Sequence, residues 1–196
     1  MALAVSVVLL AYLLGSIPTG VLLARAVGVD VRAEGSGNIG ATNVARTAGR
    51  SLGVATLLGD VSKGVIPVVL ARSLGLSDGV IAAVAVAAIA GHVYSVFLAF
   101  RGGKGVATGL GVLVGLAPAA ALASLATFGA AMAISRIVSV ASIAAAVSGP
   151  VIMALLGYPR AYLVAGLAIA GMIVSRHAEN IARLRAGTER RFRARP

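Results

Sequence analysis

The stretch that decides the topology of this chain is residues 106–135, which read VATGLGVLVGLAPAAALASLATFGAAMAIS. As one straight α-helix these 30 residues would extend about 45 Å at ~1.5 Å per residue, well beyond a hydrocarbon core of ~30 Å. Pro118 lies within the run, and proline breaks or kinks a helix interior. The stretch therefore predicts a hairpin that turns near Ala117 and Pro118 and joins a short helix over 106–116 to a longer one over 118–135.

The distribution of positive charge favours this hairpin over a single crossing. With a hairpin, Arg46, Lys104, Arg136 and the arginine-rich C-terminus share one side of the membrane, and only Arg72 and Arg160 face the other. With a single crossing, Arg136 and the C-terminus would move away from Arg46 and Lys104. Because cytoplasmic loops are enriched in Lys and Arg, the sequence predicts seven spans with the N-terminus outside and the C-terminus in the cytoplasm.

The composition agrees with an all-α integral membrane protein, here a seven-span helical bundle. Of 196 residues, 59% are hydrophobic and 12% charged, and the mean hydropathy is +1.01. The formal net charge of +11 lies mostly in loops and at the C-terminus, so it indicates membrane lipid and not nucleic acid. The absence of cysteine excludes disulfides, and with two His and six acidic residues we expect no metal and no cofactor. Residues 1–186 are predicted to form one membrane domain and 187–196 a disordered basic tail.

A glycine-rich turn, Phe100-Arg101-Gly102-Gly103-Lys104-Gly105, immediately precedes the deciding stretch. Its consecutive amides can form a concave anion nest, and the N-terminus of a following helix adds positive potential. We therefore predict that Lys104 is catalytic and that four further residues of the turn bind substrate: Arg101, Gly102, Gly103 and Gly105. The alternative is a charged turn that only marks the cytoplasmic side.

A second glycine-rich segment follows the first span, and its residues 35–40 read GSGNIG. It matches G-x-G-x-x-G, but a membrane helix precedes it where a dinucleotide site needs a strand, so the nucleotide interpretation is rejected. Its small polar side chains and the nearby Arg46 suit contacts with phosphate oxygens. We predict that this segment contacts a phosphate-bearing substrate through Ser36 and Arg46 and through a further set of residues: Gly35, Gly37, Asn38 and Asn43. An ordinary cytoplasmic loop is the alternative.

Two polar pairs lie one helical turn apart near the cytoplasmic ends of the last spans. Ser139 and Ser142 begin one span, and His177 and Asn180 end another. Both pairs are therefore able to point into one cavity. Helix capping and interhelical hydrogen bonding are the alternative for the serines, and a solvated helix end with Glu179 paired to Arg183 is the alternative for His177 and Asn180.

Three ionisable residues lie inside apolar spans. Asp60 and Lys63 are spaced to share one helix face, so they are predicted to form a mutually neutralising structural pair. His92 is predicted to make a polar contact at a helix end and not to act as a catalytic base.

Three motifs together resemble the bacterial acyl-phosphate:glycerol-3-phosphate acyltransferases, the PlsY family. They are residues 35–46, residues 91–111, and His177-x-x-Asn180-Ile181-x-Arg183-Leu184. The resemblance implies a seven-span enzyme of the bacterial inner membrane with its active site on the cytoplasmic face. It also implies acyl transfer from acyl phosphate to the 1-hydroxyl of sn-glycerol 3-phosphate, giving lysophosphatidic acid and phosphate. A functional link to the enzyme that supplies acyl phosphate follows.

The resemblance also assigns roles to residues. Ser36 and Arg46 match important positions of the first motif, and Lys104 with Gly102, Gly103 and Gly105 matches a phosphate-binding motif. Ser139, Ser142, His177 and Asn180 match pocket positions, and Glu179 matches a position thought to be structural. The resemblance therefore implies catalytic roles for Ser36, Arg46, Lys104, His177 and Asn180, and substrate binding by Ser139 and Ser142. Ala141 occupies a position where serine is frequent, which departs from the family pattern.

The chemistry expected from these residues is direct transfer without an acyl-enzyme. An acyl phosphate is already activated, and no G-x-S-x-G elbow is present. Positioning and charge stabilisation can then supply most of the rate. The proton acceptor is left open between His177 and the phosphate of the donor. The alternative function is a small anion or phosphate transporter, which would typically show an internal repeat that this sequence lacks.

Overall fold

The architecture is a bundle of α-helices, seen in a computed structural model that describes residues 1–191. Among these residues there is no strand, and one short 3₁₀ helix spans Val96–Leu98. The α-helices in chain order are α1 (Ala2–Ser16), α2 (Thr19–Arg25), α3 (Ala41–Thr47), α4 (Arg50–Ser73), α5 (Asp78–Val93), α6 (Val106–Leu116), α7 (Pro118–Ser135), α8 (Val138–Leu155), α9 (Arg160–Ser175) and α10 (Ala178–Arg185).

Within residues 1–191, 5 segments are long and apolar enough to cross a membrane: Ala2–Arg25, Arg50–Ser73, Asp78–Leu98, Pro118–Ser135 and Val138–Leu155. The pair α9 and α10, bent by 56°, brings the number to 6 if it counts as one span. Helix α6 is apolar but short, with 11 residues. The all-helical membrane class is thus confirmed, whereas the number of seven spans and the orientation of the termini stay predictions.

The hairpin break is present where the sequence places it. Helix α6 ends at Leu116, α7 begins at Pro118, and Ala117 between them has φ −150° and ψ 74°. The carbonyl groups that end α6 are not left unpaired, because Arg72 Nη1 donates to Gly115 O at 2.6 Å and to Leu116 O at 3.5 Å. This contact from α4 lets a short helix end inside the bundle without exposing backbone carbonyls to lipid.

Glycines set the distance between α4 and α6. A Cβ built on Gly111 would overlap Val61 O, and one on Gly64 would overlap Thr108 O. The two helices are therefore in backbone contact, as expected where small residues line an interface between membrane helices. This packing fixes α6, and with it the turn that carries Lys104.

A buried polar cluster lies between α1, α4 and α5. Lys63 Nζ is 2.8 Å from Asp60 Oδ1 and donates to Ile17 O at 2.7 Å, where the chain breaks between α1 and α2. His92 Nδ1 is 3.1 Å from Thr108 Oγ1 and 3.9 Å from Asp60 Oδ1. The predicted pairing of Asp60 with Lys63 is present, and His92 makes a polar contact in the last turn of α5.

Candidate active site

One cavity of about 670 Å³ reaches from the loop ends of the helices into the bundle. At one end its wall is polar and cationic, and towards the other end it is formed by apolar side chains of α6, α7, α8 and α9. The polar end brings together eleven of the residues predicted from the sequence: Gly35, Ser36, Asn38, Asn43, Arg46, Lys104, Gly105, Ser139, Ser142, His177 and Asn180.

The glycine-lysine turn is held against the end of α5. The amide of Gly102 donates to Val93 O at 3.0 Å, and that of Gly103 donates to His92 O at 3.1 Å. From the opposite side, Arg176 donates to Gly102 O at 3.2 Å and to Gly103 O at 3.4 Å. These two amides are therefore already paired, and the prediction that they form an anion nest is wrong.

Glycine is nevertheless required at both positions for packing. A Cβ on Gly102 would overlap His92 O, and one on Gly103 would overlap the His92 ring. Neither glycine lies on the cavity wall, and neither does Arg101, which is exposed. The structure thus separates Arg101, Gly102 and Gly103 from the substrate-binding role that the sequence predicted for them.

Of the glycine-lysine turn, only Lys104 and Gly105 line the cavity. Gly105 adopts a left-handed conformation, φ 80°, and caps the N-terminus of α6. The first amides of a helix have no partner within the helix, and its N-terminus carries a partial positive charge. The helix that was predicted to follow the turn is present, so the Lys104 charge and the N-terminus of α6 remain as the two parts of the predicted anion subsite that do not depend on the nest.

The first glycine-rich loop is organised by Asn43. Its Nδ2 donates to Val31 O at 2.9 Å and to Glu34 O at 3.1 Å, and its Oδ1 accepts from the Ser36 amide at 2.9 Å. Both donors of the Asn43 amide are therefore used to hold the loop, although the side chain also lines the cavity. Gly35, with φ +64°, packs its Cα against this side chain.

The remaining loop residues divide in two. Ser36, Asn38 and Arg46 line the cavity, with Arg46 presented from α3. Gly37 does not line it. Thr42 and Asn43 also line the cavity, so this segment contributes four small polar side chains and one guanidinium group to the polar end.

A chain of hydrogen bonds links Lys104 to the C-terminal segment. Lys104 Nζ donates to Asn180 Oδ1, and Asn180 Nδ2 donates to Glu189 Oε1 at 2.5 Å. Glu189 also accepts from Ser139 Oγ at 2.7 Å and, through Oε2, from Arg183 Nε at 2.7 Å. Glu189 thereby fixes the orientation of Asn180, which in turn holds the ammonium group of Lys104.

The charges of this chain follow from its surroundings. Burial alone would raise the pKa of Glu189, but the hydrogen bonds from Asn180, Arg183 and Ser139 outweigh it and hold the pKa below its ordinary value. Burial lowers the pKa of Lys104, and the neighbouring Arg183 charge acts in the same direction. Glu189 is therefore ionised at neutral pH.

Glu189 was not predicted from the sequence, which drew attention only to Glu179. The side chain of Glu179 is 90% exposed and approaches Arg183 at 3.8 Å, which is the i,i+4 pair expected at a solvated helix end. Glu189 falls in the segment predicted as a disordered tail, yet its side chain is 8% exposed and bonded inside the site. The rest of that prediction, residues 192–196, lies outside the described residues. In the sequence, the only indication of a role for Glu189 is that it is a single carboxylate in the arginine-rich C-terminal segment.

His177 presents one nitrogen to the cavity. Its Nδ1 is 2.7 Å from Ile173 O, and because a carbonyl can only accept, Nδ1 carries the proton. Burial lowers the pKa of His177, which the hydrogen bond to Ile173 partly offsets and the Lys104 charge reinforces. The imidazole is therefore neutral at pH 7, with a lone pair on Nε2.

Glu189→Gln is expected to lower activity about tenfold, since an amide nitrogen would replace one of the two oxygens that accept from Arg183, Ser139 and Asn180. The matched control is Glu179→Gln, the same substitution at an exposed carboxylate, which should retain wild-type activity. Steady-state rates of both purified variants check this. Equal losses would show that Glu189 has no special place in the site.

A helical bundle of the membrane with a cavity that is cationic at one end and apolar at the other suits a protein that binds amphiphilic anions. Comparison with known proteins makes this specific. The family model described as "Glycerol-3-phosphate acyltransferase" matches residues 5–187. The chain belongs to this glycerol-3-phosphate acyltransferase family and is an acyltransferase of the membrane.

Individual relatives agree over nearly the whole chain. A glycerol-3-phosphate acyltransferase of Geobacter sulfurreducens is 56% identical over 94% of this chain and 95% of its own length. A glycerol-3-phosphate acyltransferase of Rubrobacter xylanophilus is 49% identical over 96% of this chain and 94% of its own length. A crystal structure of PlsY (YgiH), described as an integral membrane glycerol 3-phosphate acyltransferase in its glycerol 3-phosphate form, superposes with a TM-score of 0.94 at 43% identity, covering 97% and 96% of the two chains. Its lysophosphatidic acid form gives 0.92.

Proposed function

We propose that this acyltransferase takes its acyl group from acyl phosphate and transfers it directly to the 1-hydroxyl of sn-glycerol 3-phosphate, on the cytoplasmic face of the bacterial inner membrane. The observation that carries the proposal is the single cavity in which the Lys104 and Arg46 charges lie at one end and apolar side chains at the other. Such a cavity suits two phosphate anions, one of which carries a long chain. The family membership excludes the transporter alternative.

The positive groups support binding and charge stabilisation. Both substrates are anions, and charge-assisted hydrogen bonds from Lys and Arg are the strong ones. As the glycerol oxygen attacks the acyl carbon, negative charge grows on the carbonyl oxygen and then on the departing phosphate. Lys104, held by Asn180, and the N-terminus of α6 are placed to stabilise that charge.

The transfer itself makes one bond and breaks one. The bond between glycerol O1 and the acyl carbon forms, the bond between that carbon and the phosphate oxygen breaks, and the hydroxyl proton leaves with phosphate. Among residues 1–191 no serine hydroxyl is hydrogen-bonded to a histidine, and Ser139 donates to Glu189. Direct transfer without an acyl-enzyme agrees with this arrangement.

His177 is assigned an orienting role in this mechanism. The lone pair on Nε2 suits acceptance of a hydrogen bond from the glycerol hydroxyl, while the phosphate of the donor takes the proton. His177→Gln should therefore keep more than about a tenth of the wild-type kcat, because general-base catalysis contributes roughly 10²–10⁴-fold and its loss would be larger. Steady-state kinetics check this. A loss beyond a thousandfold with unchanged binding of glycerol 3-phosphate would make His177 the base.

The proposed topology is seven spans with the glycine-lysine turn and the C-terminal segment both in the cytoplasm. Single cysteines can report it because the chain has none. Arg101→Cys and Ala186→Cys, both at exposed positions, should resist an impermeant thiol reagent in intact spheroplasts, whereas Ser77→Cys at the opposite helix ends should react. Labelling of Arg101→Cys or Ala186→Cys from outside would overturn the topology.

The donor is tested by assay of the purified protein with glycerol 3-phosphate and either palmitoyl phosphate or palmitoyl-CoA. We expect lysophosphatidic acid from palmitoyl phosphate alone. Product from palmitoyl-CoA alone would overturn the proposed donor while leaving the acyltransferase class intact. If acyl phosphate is the donor, a second enzyme that forms acyl phosphate must supply it to this acyltransferase.

A further inference from the structure

The apolar part of the cavity ends at the same depth on four helices. Its innermost lining residues are Leu116 on α6, Ser124 on α7, Pro150 on α8 and Gly166 on α9. Leu116 lies 10 residues from Val106, Ser124 lies 11 from Ser135, Pro150 lies 12 from Val138 and Gly166 lies 9 from Ser175, so each is about 14–18 Å from the polar end of its helix at ~1.5 Å per residue. These four residues are called the floor.

The floor is closed by core side chains. Among the described residues, Ala117 and Ala120 are buried beyond it, as are Met153, with 0% exposure, and Tyr162, with 4%. A chain that enters from the polar end therefore meets packed side chains and cannot continue along the helix axes. Protein cores resist added volume, so the floor is a firm limit.

Gly166 is the residue at the floor where side-chain volume is missing. It is buried and lines the cavity, and a Cβ added there would lie 3.4 Å from Met153 Sδ and 3.4 Å from Pro150 Cβ, an ordinary contact. The backbone thus tolerates a side chain at 166. Atoms beyond that Cβ would occupy the cavity at its floor.

Ser124 is a second residue at the floor that bears on the length of the chain that the cavity accepts. Its hydroxyl is buried, 3% exposed, and is the one buried side-chain polar atom in residues 1–191 without a hydrogen-bond partner. Serines in membrane helices ordinarily donate to a carbonyl of the preceding turn. An apolar chain end that reaches Ser124 keeps the hydroxyl unpaired, whereas a shorter chain leaves space for a water to pair with it.

We infer that the floor, through the volume at Gly166 and the unpaired hydroxyl of Ser124, sets the length of acyl chain that the enzyme prefers. This inference rests on the proposed function, since the occupant is the chain of the acyl phosphate whose phosphate lies at Lys104. The cationic polar end and the apolar closed end match the two parts of that molecule.

Substitutions at Gly166 and Ser124 are expected to change the preferred chain length in opposite directions. Gly166→Leu fills the floor and should move the preference to shorter chains, with the palmitoyl-to-lauroyl product ratio falling tenfold or more, as is typical when a pocket loses room for methylene groups. Ser124→Ala removes the unpaired hydroxyl and should raise that ratio. The matched control is Gly171→Leu on the same helix, where nothing lies within 4 Å of an added Cβ, and its ratio should equal that of wild type.

The test is a competition assay. Each purified variant receives an equimolar mixture of lauroyl, myristoyl, palmitoyl and stearoyl phosphate with glycerol 3-phosphate, and mass spectrometry gives the ratio of the lysophosphatidic acids. Because the ratio reports relative kcat/KM, it does not depend on the fraction of folded enzyme. Gly166→Ala, whose single added methyl fits, provides a second variant and should shift the ratio in the same direction by a smaller factor.

An unchanged ratio in Gly166→Leu and Gly166→Ala, or an equal shift in Gly171→Leu, would overturn the inference while the wild-type reaction still upholds the proposed function. If wild type makes no product from any acyl phosphate, the proposed donor fails instead, and the inference fails with it.

Discussion

Lys104→Ala is expected to lower kcat/KM by about 10- to 100-fold or more. The variant removes the ammonium group that Asn180 holds at the cavity wall beside the N-terminus of α6. A charge-assisted hydrogen bond contributes about 1.5–3 kcal/mol, and each ~1.4 kcal/mol is a factor of ten in rate. Steady-state kinetics with acyl phosphate and glycerol 3-phosphate measure the loss.

The companion variant is Arg101→Ala in the same turn. Arg101 is exposed and does not line the cavity, so its removal should change kcat/KM less than threefold, on the order of an ordinary surface substitution. The same detergent-solubilised yield and thermal transition for both variants would show that folding is intact. Equal losses of kcat/KM in the two variants would show that the whole glycine-lysine turn, and not Lys104 alone, binds the phosphate.

Arg46→Ala is the second large effect that we expect, with a loss of about 10- to 100-fold in kcat/KM for glycerol 3-phosphate. Arg46 projects from α3 into the cavity, where its guanidinium group can contact phosphate oxygens in a bidentate way. Because the residue is exposed, removing it should not affect stability. Kinetics at saturating acyl phosphate isolate the effect on the acceptor.

Arg50→Ala is the control for this arginine. It is exposed at the start of α4, four residues along the chain, and does not line the cavity. Its activity should match wild type. Near-normal turnover in Arg46→Ala would show that the phosphate of glycerol 3-phosphate does not bind at the first glycine-rich loop.

The sequence predicts the hairpin at Ala117 for a local reason. Proline cannot continue the helix, and helix length is limited by the membrane, so the break follows from Pro118 and the length of the apolar run alone. The paired charges of Asp60 and Lys63 follow equally from helix geometry. The family is also identified from motifs that lie within short stretches of the chain.

What the sequence does not predict depends on contacts between distant residues. Gly102 and Gly103 have the composition of an anion nest, but their amides are paired with the end of α5, which only the packed structure shows. Asn43 has the chemistry of a substrate ligand, but both of its N–H donors are bonded to backbone carbonyls of its own loop. Glu189 lies outside every motif considered, and its bonds to Ser139 span 50 residues.

The measurement that tests the account most directly is a single-turnover reaction of purified enzyme in excess over acyl-labelled palmitoyl phosphate, with and without glycerol 3-phosphate. Without glycerol 3-phosphate, no label should be bound to the protein after denaturation, and with it all transferred label should appear in lysophosphatidic acid. Label retained covalently on the protein and then passed to glycerol 3-phosphate would contradict direct transfer.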